Sequence, residues 1–191
     1  YTGEDTLSLH DALPIYYHYA LAVYTGMRSG EMYALTWDKV DLQNRRILVD
    51  CSWSNKDGLK STKSGDDRIV EIALNLVPLL QELKLKSGGI GPVLERHQEW
   101  TDGRQAQELR KFQEGAGLPQ TRFHDLRATW CTIMLSKGVE PIKLMLMGGW
   151  QNLKTMQLYM RKAGVSIKGI TDGLDLHDPV VRSEERRVGK E

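Results

Sequence analysis

The sequence predicts an α+β domain, mainly helical, with one small antiparallel sheet of three strands. Three features lead to that class. Leu76, Leu79, Leu80 and Leu83 recur at the spacing of one helix face. Two short stretches, Arg46 to Trp53 and Asp67 to Leu74, have strand character, the second alternating through Ile69, Val70 and Ile72, with the turn cluster Asn55 to Gly58 after the first. Glycines then punctuate the chain wherever a helical pattern stops, at Gly26, Gly88-Gly89, Gly115, Gly138 and Gly148-Gly149.

Taken in order, Tyr16 to Tyr24 reads as a buried helix broken at Thr25-Gly26, and Ser29 to Trp37 as a second helix with Arg28 at its start. The sheet is expected next, with Leu59 to Lys63 as its middle strand. A helix from Val77 ends at Gly88-Gly89. Gln105 to Glu114 and Phe123 to Ser136 follow as helices, each stopped by glycine. Pro141 suits the first turn of a helix running to Met147, and Asn152 suits the cap of a last helix carrying Tyr159.

The two ends are read separately. Leu7 to Ile15 is what one strand of a common sequencing-library adapter encodes, and Arg182 to Glu191 is what the opposite strand encodes. Residues 1–15 and 182–191 are therefore expected to be adapter-derived, and 16–181 to be one domain. The chain of 191 residues carries 26 Lys plus Arg against 25 Asp plus Glu, a net charge of +1. Setting the ends aside removes four basic and six acidic residues and leaves +3. So mild an excess means that any phosphate-binding surface must come from local clustering.

Cys51 and Cys131 have no partner at metal-ligand spacing, which suits a reducing cytoplasm. No stretch approaches the roughly 20 apolar residues of a membrane span. There is no H-E-x-x-H, no phosphate-loop motif and no Cys/His cluster, so neither a metal nor a cofactor is expected.

Three segments stand out as chemistry: T-G-M-R-S-G-E from Thr25 to Glu31, H-D-L-R from His124 to Arg127, and G-G-W ending at Trp150 with Tyr159 beyond it. In-line attack on a phosphodiester builds negative charge on two non-bridging oxygens, and a pair of guanidinium forks is the natural fixed stabiliser. Arg28 and Arg127 fit that role. His124 lies three residues before Arg127, a spacing that places both on one helix face. A tyrosine with an ordinary pKa near 10 needs a base or a concentrated positive field to act as nucleophile.

In this ordered set the sequence resembles the tyrosine recombinases of the phage-integrase type, over nearly all of residues 16–181. The resemblance implies a catalytic domain that breaks and rejoins DNA at specific sites through a 3′-phosphotyrosyl link. Tyr159 would be the nucleophile, Arg28 and Arg127 the phosphate clamp, and Lys63 on a hairpin of the sheet the general acid, with Lys60 its competitor. His124 would be a proton acceptor or a donor to the phosphate. Trp150 stands where the family carries His or Trp, and Glu31 would buttress Arg28. Arg122, Lys143, Lys154 and Arg161 are candidates for DNA-backbone contacts. Double-stranded DNA is the implied partner, with a homotetramer on two duplexes and a helical DNA-clamping domain expected ahead of this one. Type IB topoisomerase activity, or a non-catalytic DNA-binding remnant of a mobile element, are the alternatives.

Overall fold

The computed structural model describes residues 13–54, 56–61, 67–94, 104–166, 168–169 and 171–172. The sequence-predicted general acid Lys63 lies outside them, as do the parts of the two ends before Leu13 and after Asp172.

Seven helices and five short strands make up the described residues: α1 Leu13–Thr25, α2 Ser29–Ala34, β1 Val40–Asp41, β2 Arg46–Val49, β3 Cys51–Ser54, β4 Gly58–Ser61, β5 Arg68–Glu71, α3 Val77–Ser87, α4 Arg104–Gly115, α5 Phe123–Ser136, α6 Pro141–Gly148 and α7 Leu153–Lys162. Two 3₁₀ turns, Trp37–Lys39 and Leu74–Leu76, join α2 to β1 and β5 to α3. The mainly helical α+β class stands. Helix α1 begins at Leu13, and Ile15, within the segment read as adapter, packs with Leu109 and Phe112 of α4.

The sheet differs in detail from the expectation. It has three antiparallel strands in the order β1-β2-β5, so Arg46–Val49 is central and Gly58–Ser61 is not in it. Strands β3 and β4 form a separate hairpin, with Cys51 opposite Ser61 and Ser54 opposite Gly58. The strand changes partner at Asp50, where β2 ends and whose carboxylate accepts from the Lys39 ammonium. Before it, Ile47 and Val49 turn into the core beside Val70; after it, the hairpin lies on α2. Gly30 permits that contact, because a Cβ there would stand 2.5 Å from the carbonyl oxygen of Trp53.

Two apolar clusters flank the interior. One joins α1, α2, the sheet and α3 around Leu21, Met32, Ile47, Val70 and Leu80. The other joins α5, α6 and α7 around Trp130, Leu144, Met156 and Tyr159. The turns after α1 and after α6 meet between them. At the first, Thr25 donates from its hydroxyl to the Leu21 carbonyl and accepts from the Met27 amide. Gly26 follows at φ +63°, pressed on Trp130 so closely that a Cβ would lie 2.4 Å from its ring.

Candidate active site

Helix α6 ends at Gly148, with Gly149 in the left-handed conformation at φ +69°. The last carbonyls of a helix have no partner within it and carry the negative end of its dipole. Here three successive carbonyls are each met by an arginine. Arg68 donates from Nε to Met147 at 2.8 Å, Arg127 from Nη2 to Gly148 at 2.6 Å, and Arg28 from Nη2 to Gly149 at 3.3 Å. Arg127 also donates from Nη1 to the Gly26 carbonyl at 2.6 Å, stapling the turn after α1 to the turn after α6.

The three guanidinium groups are not equivalent. Arg28, the cap of α2, is half exposed and pairs with Glu31 through Nη1 at 2.8 Å. Arg68 is 7% exposed and grips both oxygens of Glu31, at 3.0 and 2.6 Å. Glu31 is itself buried and also accepts the Arg28 backbone N–H at 2.8 Å. Burial by itself raises the Glu31 carboxyl pKa, but the bonds and charge of Arg68, and then those of Arg28, bring it below the ordinary value.

Arg127 is 3% exposed, and the acceptors of its side chain are backbone carbonyls. Burial first, and then the charge of Arg28, pushes its pKa down to about 10, so it remains a cation at neutral pH. Its guanidinium carbon lies 4.0 Å from the ring centre of Trp150, a cation–π contact. That indole stacks on Trp130 at 6.2 Å and tilts against Tyr159 at 5.4 Å. Tyr159 is buried with Cys131, Leu144 and Met156. Burial raises its phenol pKa, and the Arg127 charge acts in the opposite direction. The resting tyrosine is thus protonated at neutral pH, and its proton has to leave during any attack.

An open cleft of about 790 Å³ reaches this cluster, lined among others by Arg28, Glu31, Arg68, Trp150, Ile142 and Leu146. The structure therefore brings together Arg28, Glu31, Arg127, Trp150 and Tyr159. His124 lies three residues before Arg127 on α5 and differs from it in exposure. Arg127 points inward while His124 is exposed on the first turn of α5, since positions three apart diverge by about 60° around a helix. Lys60 on β4 is exposed and paired with Asp57 at 3.0 Å, in the hairpin rather than in the arginine cluster. Arg122 and Lys143 are exposed but paired with Asp125 and Glu140, while Lys154 and Arg161 are exposed on α7. Among the described residues no group of His, Cys, Asp and Glu could hold a metal ion, and no helix is long and apolar enough to cross a membrane.

Sequence reasoning missed Arg68 as a member of the site. The signal was present. Arg68 shares a strand face with Val70 and Ile72, both fully buried, while Ile69 and Glu71 face outward. An arginine on a buried strand face requires a carboxylate or carbonyl partner.

Residues 5–164 match the profile described as Phage integrase family. The integrase of Salmonella phage P22 is 26% identical over 163 residues, covering 74% of this chain and 38% of that protein. Tyrosine recombinase XerA of Saccharolobus solfataricus is 25% identical, over 71% of this chain and 41% of its own length. This chain thus spans about two fifths of the length of these curated relatives. The Tn1549 transposon integrase, solved in complex with circular intermediate DNA, superposes with a TM-score of 0.65 at 20% identity, covering 97% of this chain and 62% of the other. A XerA recombinase crystal structure gives a TM-score of 0.63 at 22% identity, covering 98% and 62%. The chain shares the fold of these structures over the parts covered.

Proposed function

The chain belongs to the phage integrase family, and on that premise we propose that it cleaves and rejoins double-stranded DNA at specific sites with Tyr159 as nucleophile. The observation that carries this reading is the convergence of three arginines on the last carbonyls of α6, with Trp150 linking Arg127 to Tyr159. Such a cluster offers fixed positive charge where a phosphodiester gains negative charge, at no cost of reorganisation during the reaction.

In the proposed step the Tyr159 oxygen attacks phosphorus and the bond to the 5′-oxygen breaks. The tyrosine gives up its proton, and the 5′-oxygen leaves as a hydroxyl after taking one. Arg28 and Arg127 bind the non-bridging oxygens. Lys63 is the proposed donor to the leaving oxygen. His124, exposed at the start of α5, is the proposed acceptor of the tyrosyl proton or a second donor to the phosphate. Attack by another strand's 5′-hydroxyl reverses the step, so no nucleotide cofactor is consumed. Two DNA duplexes held by a homotetramer are the proposed setting, with Lys154 and Arg161 contacting backbone phosphates.

The test mixes the chain with nicked suicide duplexes of randomised sequence and looks for covalent protein–DNA adducts on denaturing gels. Adducts are expected, absent with Tyr159→Phe and reduced about 100-fold or more with Arg28→Ala or Arg127→Ala. DNA binding without any adduct would mean a non-catalytic role, and relaxation of supercoils without site preference would mean topoisomerase chemistry.

A further inference from the structure

We propose that Arg68 is a positioning residue for the phosphate clamp: it holds Arg28 in its substrate-facing pose by occupying both oxygens of Glu31, and it locks the Met147–Trp150 turn alongside. This rests on the reading of Arg28 as a phosphate ligand.

Glu31 lies three residues after Arg28 at the start of α2, within reach of a two-nitrogen fork. Without a third group, such a pair closes as a fork, as Arg122 does on Asp125 through Nε and Nη2, which turns the guanidinium onto the carboxylate. Arg68 prevents this. Its Nη1 and Nη2 take Oε1 and Oε2, and the backbone N–H of Arg28 takes Oε2 as well. With two donors already on Oε2, the Arg28 side chain shares Oε1 with Arg68: it uses Nη1 alone and extends Nη2 to the Gly149 carbonyl at 3.3 Å, a long bond that an incoming phosphate oxygen can replace.

Arg68 is suited to hold rather than to bind. Its two terminal nitrogens are committed to the Glu31 carboxylate and its Nε to the Met147 carbonyl, whereas the acceptors of the equally buried Arg127 are neutral backbone carbonyls that a phosphate oxygen can displace. Its Nε bond to Met147 ties the same guanidinium to the end of α6, and Gly149 sits so close that a Cβ there would lie 3.2 Å from Arg68 Cδ, Nε and Nη1. One buried side chain thus sets the distance between Arg28 on α2 and the turn that carries Trp150.

Two measurements test this. The first needs no DNA: the heteronuclear NOE of the Arg28 Nε–H in ¹⁵N-arginine-labelled protein, assigned by its loss in Arg28→Lys. It is expected to report an ordered side chain in the wild type and a mobile or displaced one in Arg68→Met and in Arg68→Lys, which keeps the charge but has no fork. An unchanged Arg28 signal overturns the proposal.

The second compares suicide duplexes bearing a phosphate or a neutral methylphosphonate at the scissile position. Misplacing a clamp should slow phosphate cleavage by about 100-fold. Because the neutral group gives a guanidinium less charge to stabilise, the penalty of Arg68→Lys should shrink by about tenfold or more, as it should for Arg28→Ala. An equal penalty on both substrates marks Arg68 as a structural pin only and overturns the proposal. Should the wild-type chain form no adduct, the phosphate reading fails, and the Arg28 signal alone decides the positioning role.

Discussion

Two helices of this protein begin with the same local device. At the start of α2, Arg28-Ser29-Gly30-Glu31 places an arginine at the cap and a carboxylate three residues on, and Arg122-Phe123-His124-Asp125 repeats the arrangement at the start of α5. In both, the acid accepts the arginine's backbone N–H and pairs with its side chain. The surroundings separate them. Glu31 is 3% exposed and gripped by Arg68, whereas the Asp125 side chain is 38% exposed and its arginine 82%. The third position is glycine against the β3 backbone in one and an exposed histidine in the other. An Arg-x-x-acid start is therefore only a cap until a third, buried group fixes it, and Arg68 supplies that group at α2 alone.

The largest expected effect that sharpens this contrast is Glu31→Ala. It leaves Arg68 charged and buried without a carboxylate, which should cost about 3–5 kcal/mol in urea unfolding; a loss no greater than that of a surface residue would break the comparison. Gly30→Ala comes next. Its Cβ would meet the Trp53 carbonyl at 2.5 Å and the Ser52 hydroxyl at 2.7 Å, so overpacking should cost about 1–3 kcal/mol. At the equivalent position of α5, His124→Ala should leave the unfolding midpoint unchanged while slowing adduct formation about 100-fold or more. A destabilised His124→Ala protein would show that the histidine is a structural part of α5.

Acid should separate the two starts again. Both carboxyls are held below their ordinary pKa, Asp125 first by the side-chain bond from Arg122, Glu31 by Arg68 and Arg28 against the opposing effect of burial. A depressed carboxylate contributes stability that is complete above its unfolded pKa and is lost as pH falls through the lower folded value. Unfolding followed below the ordinary carboxylate range should lose a measurable part of its pH dependence in Glu31→Gln and less in Asp125→Asn, whose exposed pair is screened by solvent. The smallest effect is Asp125→Asn at neutral pH. Exposed pairs are screened by water and salt, so no resolvable change in midpoint is expected.

Much of this was legible in the sequence because it is local. Glycine breaks, Pro141 and the Asn152 cap depend on backbone geometry within a few residues, and the last four helices lie close to where periodicity placed them. The three motifs meet because their turns are short and their helices are held by two continuous apolar clusters. What could not be read is non-local. The exchange of strand partners at Asp50 is accompanied by a bond to Lys39, eleven positions away, and by the packing of β3 against α2. The outward turn of His124 depends on which face of α5 its neighbours cover. Arg68 left a trace in the alternation of its strand, but its partners lie 37 and 79 residues away.

The most direct test of the account is to locate the covalent bond. Adducts trapped on suicide duplexes would be digested with nuclease and then trypsin, and the peptide carrying residual nucleotide identified by mass spectrometry. Nucleotide is expected on Tyr159, within the tryptic peptide Thr155 to Arg161. Nucleotide on any other side chain would contradict it, because the arginines of the α6 terminus would then be arranged around the wrong residue.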